Sequence, residues 1–218
     1  MDKKIIIEKT IEFVKEKLKN EGSGHDWYHI ERVYNLSKYL ANKEGADSCI
    51  VELAALLHDI EDWKFSDTNE TSTEITEKFL KSLKVEESDI IKITNIIKSM
   101  SFKGGVVNSK QNTIEGMVVQ DADRLDAIGA IGIARAFTYG GYKHQTIYNP
   151  EISPREFKSI EDVKNKENHT INHFYEKLLK LRDLINTDSA KEIADKRHEF
   201  MKEYLDAFYY EWNFNIEV

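Results

Sequence analysis

Proline is confined to one short stretch of this chain, at Pro150 and Pro154, so the rest of its 218 residues can form uninterrupted helices. Proline disrupts a helix interior because its ring clashes with the preceding turn and its nitrogen carries no proton. Elsewhere apolar residues recur with helical spacing, and no pair of segments has the pattern of a β-hairpin. The first such stripe consists of Ile7, Ile11, Val14 and Leu18. The pattern predicts an all-α fold.

The same spacing predicts the positions of the later helices. They are expected at about 26–43, 47 or 48 to 57, 70–83, 86–100, 114–138, 164–186 and 189–213. The third helix is almost wholly apolar after residue 50, which places it at the centre of the core. The segment 114–138 contains several glycines, each costing about 1 kcal/mol in a helix interior, so another element is expected to approach it closely. Segment 139–160 is predicted to be a long loop, either functional or disordered.

Charge and cysteine content argue against some classes of function. The net charge is −8, whereas a protein that binds duplex DNA without specificity needs clustered lysine and arginine, so we expect no nucleic-acid partner. Cys49 is the only cysteine, which excludes an intrachain disulfide and suits a reducing compartment. The first residues lack a signal-peptide pattern, and no apolar run approaches the roughly 18 residues of a membrane span. We therefore expect a cytoplasmic protein with no membrane partner.

Two clusters of acidic and histidine side chains interrupt apolar segments. His58 and Asp59 follow eight almost wholly apolar residues, and a buried ionised carboxylate is costly unless it is paired or binds a metal. The alternative is an imidazole placed favourably at a helix C-terminus. Asp121, Asp123 and Asp126 lie within six residues of an apolar helix. Their mutual repulsion calls for a cation, either the neighbouring Arg124 or a divalent metal.

The stretch His25-Asp26-Trp27-Tyr28-His29 invites comparison with the zinc-protease helix His-Glu-x-x-His. Its acid is one methylene shorter and its first histidine precedes the regular helix, which argues against a protease. That first histidine is therefore expected to cap the helix or to face a substrate. The second lies on the inward stripe of its helix. With the His-Asp pair and Asp123 it completes a mixed nitrogen and oxygen set that suits Mn²⁺, Fe²⁺, Mg²⁺, Ni²⁺ or Zn²⁺.

The order of these residues resembles the HD-domain metal-dependent phosphohydrolases, whose pattern H…HD…D is matched by His29, His58-Asp59 and Asp123. Longer blocks in the same order resemble the small bacterial YpgQ/YedJ-like subgroup. They are GHDWYHIERV, ALLHDIEDWK, QDADRLDAIGAIGIARA, FTYGG and INHFYEKLLKLRDLINT. The resemblance covers most of residues 22 to 212, and none of the four metal-ligand positions departs from the pattern.

The resemblance implies an all-α HD-domain helical bundle forming a single domain over residues 1–218. The metal core would span about 22–138, with C-terminal helices at 160–214 packed on it. His29, His58, Asp59 and Asp123 would bind one divalent ion, with Mn²⁺ the first expectation and Mg²⁺, Fe²⁺, Ni²⁺ and Zn²⁺ as alternatives. The implied activity is hydrolysis of nucleoside triphosphates to monophosphate and pyrophosphate. His25 would then not ligate the metal.

Further residues have predicted roles, each with a structural alternative. Asp62, or else Glu61, is expected to accept a proton from water or to orient it, unless both belong to a solvated helix end. Lys64 and Lys103 would meet the polyphosphate of a substrate, unless they are surface residues. His25 would face the substrate, and Asp126 would contact the substrate or orient a ligand. In the 139–160 loop, the three tyrosines Tyr139, Tyr142 and Tyr148 would stack on a nucleotide base or pack the loop down.

Other functions use the same fold, because fold does not determine function. One alternative is a 5′-nucleotidase or phosphodiesterase at the same metal site, which would release different products. Another is a nucleotide-sensing or metal-binding module without turnover, although the intact set of ligands argues against it. In each case the expected partner is a small phosphorylated molecule, and both a monomer and a homodimer remain open.

Overall fold

The computed structural model describes residues 2–19, 24–61, 73–100, 109–156 and 168–214. Within these ranges the regular structure is helical and contains no β-strand, which confirms the predicted all-α fold. The α-helices are α1 (Lys3–Lys17), α2 (Trp27–Glu44), α3 (Ser48–Leu57), α4 (Glu74–Ser82), α5 (Glu87–Lys98), α6 (Ile114–Asp126), α7 (Gly129–Tyr142), α8 (Thr170–Glu176) and α9 (Asp188–Trp212). No helix in the described ranges combines the length and the apolar character that crossing a membrane requires.

At two positions of α1, the buried residue lies one place before the residue that the apolar spacing predicts. Ile6, Thr10 and Val14 are buried, whereas Ile7 and Ile11 are only partly covered. The spacing of apolar residues did not identify Thr10 as buried, because threonine is polar. Its hydroxyl donates to the carbonyl of Ile6 at 2.8 Å, so the buried hydroxyl has a hydrogen-bond partner inside the helix.

Helices α2 and α3 form the centre of the molecule, and local capping explains where each begins and ends. The side chain of Asp26 accepts a hydrogen bond from the His29 amide at the start of α2, and Gly45 ends that helix with a φ of 69°. Asp47 then caps α3, whose residues 53–57 are all buried. Helix α2 packs against both α3 and α6, which brings the chemically distinctive residues of all three together.

The segment predicted as one helix at 114–138 consists of two helices, so that prediction is wrong. Helix α6 ends at Asp126 and α7 begins at Gly129, which has a φ of 76° that other residues rarely adopt. A side chain at Gly129 would meet Arg197 of α9, with a Cβ 2.9 Å from Cγ of that arginine. The close approach that the glycines predicted is therefore confirmed at this position.

Helix α7 continues to Tyr142, so the predicted loop at 139–160 begins later than expected. Tyr139 and Tyr142 lie on this helix rather than in a loop. Tyr148 does lie in the loop and packs against aromatic rings, including Trp212 at 4.9 Å and His169 at 5.0 Å between centroids. These contacts support the packing role for Tyr148. Residues 157–160 lie outside the described ranges.

The helix predicted at 164–186 is also interrupted. Helix α8 ends at Glu176, and a 3₁₀ helix follows from Leu178 to Leu184. Its tighter winding buries Leu178 and Leu181, which are spaced by the three residues of one 3₁₀ turn. Residues 164–167 lie outside the described ranges, as do residues 70–72 at the start of another predicted helix.

Candidate metal centre

Two buried histidines direct the same ring atom toward one point. Nδ1 of His29 lies 2.8 Å from Oδ2 of Asp126, and Nδ1 of His58 lies 2.8 Å from the carbonyl oxygen of Ala55. A carbonyl only accepts, so Nδ1 of His58 carries a proton, and Nε2 is the ring atom left to coordinate an ion. Both Nε2 atoms are buried, and neither has a hydrogen-bond partner in the described part of the chain.

Two carboxylates face these nitrogen atoms. Nε2 of His29 lies 3.3 Å from Oδ2 of Asp59 and 3.6 Å from Oδ1 of Asp123. Nε2 of His58 lies 3.7 Å and 3.8 Å from Oδ1 of the same two aspartates. Neighbouring ligands at right angles around an ion with bonds of about 2.1 Å are separated by about 3.0 Å. The four side chains are therefore close to the spacing that a divalent ion requires.

The positions of the elements explain this convergence. His58 and Asp59 directly follow the last turn of α3, whose C-terminal carbonyls favour a positive charge nearby. His29 lies in the first turn of α2, and Asp123 lies on α6, which packs against both helices. The Asp123 side chain is 33 % exposed, so the site is open to solvent on that side.

The local charges favour an ionised carboxylate at Asp59 and a proton on the imidazole of His29. Burial raises the pKa of the Asp59 carboxyl, but His58 and His25 outweigh it and hold that pKa well below its ordinary value. Burial lowers the pKa of His29, but the hydrogen bond to Asp126 and the nearby carboxylate of Asp59 outweigh it, so this pKa lies above the ordinary value. Metal binding would displace the imidazole proton, because only the deprotonated nitrogen can coordinate.

Asp126 lies behind His29 and holds it in place. The Asp126 carboxylate is 4 % exposed, and it accepts hydrogen bonds from Arg32 Nε at 2.6 Å and from Arg135 Nη1 at 2.9 Å. Burial raises its pKa, but the hydrogen bonds from His29 and Arg32 lower it far more, so the carboxyl stays ionised. This placement suits a residue that orients a ligand better than one that touches substrate.

The three acids of α6 have different surroundings, which corrects the expectation that all three need one cation. The carboxylate of Asp121 accepts hydrogen bonds at 2.8–2.9 Å from the backbone and side chains of Asn186 and Thr187, where α9 begins. Arg124, the alternative cation, donates to Leu184 O and to Ser109 Oγ instead of to an acid. Among the three, Asp123 faces the two Nε2 atoms.

Asp121→Asn is expected to lower the free energy of unfolding by about 2 kcal/mol, because an amide leaves buried donors at the start of α9 without an acceptor. Its Mn²⁺ affinity should remain that of the wild type. Asp123→Asn is the matched variant, with weakened Mn²⁺ binding and little change in metal-free stability. Urea unfolding and Mn²⁺ titration of both variants measure the two effects. Loss of Mn²⁺ binding in Asp121→Asn with unchanged stability would contradict this division of roles.

The structure places His25 beside Asp59 and not at the cap of α2. Its Nδ1 lies 2.7 Å from Oδ2 of Asp59, and the capping role that the sequence left open for it belongs to Asp26. Glu61 uses Oε2 to accept the backbone N–H of Thr76 at 3.0 Å, in the first turn of α4. This bond makes Glu61 a helix cap, which is a different task from accepting a proton. Three further candidates, Asp62, Lys64 and Lys103, lie outside the described residues.

Arg135 belongs to the centre, although the sequence analysis did not identify it. It is the one charged residue in the segment 127–142, before Lys143. A lone arginine on an apolar helix indicates a carboxylate partner, because an unpaired buried charge is costly. That signal was available, but it did not reveal which of the many acids in the chain would be the partner.

Comparison with known proteins identifies the part of the chain that contains the candidate metal centre. A family model described as HD domain matches residues 26–128. The protein YpgQ of Bacillus subtilis is 42 % identical over 194 residues, which cover 88 % of this chain and 87 % of YpgQ. The crystal structure of YpgQ in complex with ADP superposes with a TM-score of 0.73 at 40 % identity and covers 93 % of this chain and 95 % of that one.

Two other solved structures match nearly the whole chain. A protein from Lactobacillus plantarum has a TM-score of 0.86 and 40 % identity, with coverage of 98 % of this chain and 99 % of that one. An HD-superfamily hydrolase from Bacillus thuringiensis has a TM-score of 0.75 and 45 % identity, with coverage of 97 % and 99 %. The likeness therefore extends from the candidate metal centre to the C-terminal helices.

Proposed function

The chain belongs to the HD superfamily of hydrolases, and on that premise we propose that it is a divalent-metal-dependent phosphohydrolase. Its proposed reaction is the hydrolysis of nucleoside or deoxynucleoside triphosphates to monophosphate and pyrophosphate. The observation that carries the proposal is the convergence of the buried, unpartnered Nε2 atoms of His29 and His58 with two carboxylates.

The donor atoms fit a divalent ion. A buried polar atom without a partner costs about 1–3 kcal/mol, and an ion would satisfy both Nε2 atoms at once. His29, His58, Asp59 and Asp123 would hold it. Two imidazoles with two carboxylates suit Mn²⁺, our first choice, and do not exclude Mg²⁺, Fe²⁺, Ni²⁺ or Zn²⁺. The absence of thiolate ligands argues against a purely structural zinc site.

The charge of the surrounding residues favours an anionic substrate. Asp59, Asp123 and Asp126 carry three negative charges, whereas Arg32, Arg135 and a divalent ion carry four positive charges. The loaded centre would therefore be net positive, which attracts the phosphates of a nucleotide. The complex of YpgQ with ADP supports a nucleotide as the ligand of this chain as well.

The proposed chemistry is attack of water on the α-phosphorus. The bound ion would lower the pKa of a coordinated water and neutralise charge on the phosphoryl group. A bond forms between the water oxygen and the α-phosphorus, the bond to the bridging oxygen breaks, and pyrophosphate leaves. Asp62 is our candidate for the group that accepts the proton, since the Glu61 carboxylate already binds the N-terminus of α4.

Product analysis tests this proposal. Metal-stripped protein is incubated with Mn²⁺ and each common triphosphate, deoxynucleoside triphosphate and monophosphate, and the products are separated by anion exchange. Monophosphate with pyrophosphate is the expected result, and an isotopic label from the water oxygen recovered in the monophosphate identifies attack on the α-phosphorus. Release of orthophosphate from monophosphates would establish a nucleotidase instead. Nucleotide binding without any product would indicate a sensor and would end the proposal of catalysis.

Asp62→Asn is expected to bind Mn²⁺ normally and to lose turnover by about 10²- to 10⁴-fold, the usual contribution of a general base. Glu61→Gln is the comparison variant and should mainly destabilise α4, because a neutral amide interacts less favourably with the helix N-terminus. Turnover and Mn²⁺ affinity are measured on both variants. Near-normal turnover of Asp62→Asn would remove this residue from the mechanism.

A further inference from the structure

A ring of contacting groups includes two residues of the candidate metal centre, His29 and Asp59. We use the term His25 loop for residues 24–26, which precede α2. The members of the ring are His29, Asp126, Arg135, the carbonyl of Gly24, His25 and Asp59. One arc of this ring supports the imidazole of His29 and the other supports the carboxylate of Asp59. Arg135 lies where the two arcs meet.

On the Asp59 arc, His25 holds the carboxylate that faces both histidines of the centre. Its Nδ1 lies 2.7 Å from Oδ2 of Asp59, and because a carboxylate only accepts, the imidazole is the donor. A carboxylate that gives one oxygen to an ion is oriented by the hydrogen bond to its other oxygen. His25 thus determines which way Asp59 presents its oxygen atoms to the centre.

Arg135, a residue of α7, in turn binds the His25 loop. Gly24 has a φ of 91°, which a residue with a side chain rarely adopts, and its carbonyl accepts a hydrogen bond from Arg135 Nε at 3.1 Å. Nη1 of the same guanidinium donates to Asp126 at 2.9 Å. The Arg135 side chain is 18 % exposed, so water competes little for these bonds. One planar group therefore fixes the loop relative to the carboxylate behind His29.

We propose that Arg135 is a positioning residue for the metal centre and that it acts through the His25 loop on Asp59. This role rests on the proposed function, since it requires that the centre bind a divalent ion. Arg32 offers a natural comparison, because it donates to the same Asp126 at 2.6 Å and 3.1 Å. Its side chain makes no hydrogen bond to the His25 loop in the described part of the chain.

The test is a pair of double-mutant cycles that measure Mn²⁺ dissociation constants by electron paramagnetic resonance of the free ion. His25→Ala and Arg32→Met are each expected to weaken binding about tenfold, as is usual when a group that orients a ligand is lost. Arg135→Met loses its bond to Asp126 as well as its bond to the His25 loop, so it is expected to weaken binding by about tenfold or more. If Arg135 acts through His25, adding His25→Ala to Arg135→Met weakens binding no further. The Arg32 and His25 double variant is weakened about 100-fold, because those effects are independent.

Arg135→Lys is the control for a loss of Mn²⁺ binding that is caused by misfolding alone. Lysine keeps a positive charge beside Asp126, but one ammonium group does not reproduce the two directed bonds of the guanidinium. It should therefore weaken Mn²⁺ binding and give the same non-additivity with His25→Ala, with a wild-type circular dichroism spectrum. Recovery of full affinity in Arg135→Lys would overturn the proposal.

The outcomes separate this inference from the proposed function. Tenfold losses that multiply in the Arg135 and His25 double variant would overturn the inference while leaving the metal centre intact. Failure of the wild-type protein to bind Mn²⁺ would overturn both. A visible absorption spectrum of the Co²⁺ form gives a second readout: adding His25→Ala to Arg135→Met should shift it no further, and an additional shift would contradict a shared path.

Discussion

Asp123→Ala is expected to lose more than about 100-fold in Mn²⁺ affinity, because it would remove a proposed ligand and not merely a group that orients one, whose loss costs about 10- to 100-fold. The fold is expected to survive, since the Asp123 side chain is partly exposed and packs no apolar partner into the core. Elemental analysis after dialysis against Mn²⁺ and far-ultraviolet circular dichroism measure the two properties. Triphosphate hydrolysis should disappear together with the metal.

Thermal unfolding provides an independent check on Asp123→Ala. An ion that binds only the native state stabilises it by about 2.7 kcal/mol at a concentration 100 times its dissociation constant. Mn²⁺ should therefore raise the unfolding temperature of the wild-type protein and of the control Asp183→Ala, whose side chain is 74 % exposed. It should leave that of Asp123→Ala unchanged. Full metal content in Asp123→Ala would refute the four-ligand site.

Asp126→Asn is also expected to have a large effect, on the free energy of unfolding as well as on metal binding. The substitution leaves the guanidinium groups of Arg32 and Arg135 without the carboxylate that both contact. Loss of one partner from a buried ion pair costs about 3–5 kcal/mol. His29 also loses the charged acceptor at Nδ1, so Mn²⁺ affinity should fall by about 10- to 100-fold. Urea unfolding and Mn²⁺ titration measure both changes.

Asp121→Asn is the control for Asp126→Asn, because both aspartates are buried on α6 and both substitutions conserve shape. Only the variant at position 126 should lose Mn²⁺ affinity, since Asp121 contacts the start of α9 and not a histidine. Stability and affinity that are both unchanged in Asp126→Asn would mean that the two arginines need no shared counter-charge.

Helix positions were largely predictable because hydrophobic spacing and capping residues are local properties. Asp26 and Asp47 directly precede α2 and α3, and Gly45 directly follows α2. The break between α6 and α7 was missed because Ala127 and Ile128 are apolar and continue the pattern. A side chain at Gly129 would meet Arg197, which is distant in the chain, and local spacing does not contain that close approach.

The candidate site shows the same division between local and distant information. The grouping of His29, His58, Asp59 and Asp123 followed from residue type and order, and the structure brings these four side chains together. Residue spacing alone did not separate Asp121, Asp123 and Asp126, because their partners come from other helices, and only the resemblance to the family assigned Asp123 to the metal. The bond between Arg135 and Gly24 was equally hidden, since 111 positions separate the two residues.

The groups of the candidate metal centre come from α2, from the end of α3 and from α6, and α6 is distant in the chain from the other two helices. An ion held by all three would act as a reversible cross-link that exists only in the native state. Any unfolding route that separates these helices must first break several coordination bonds, so occupancy would raise the barrier to unfolding. The lifetime of the protein against proteases would then depend on the supply of metal, independently of its use in catalysis.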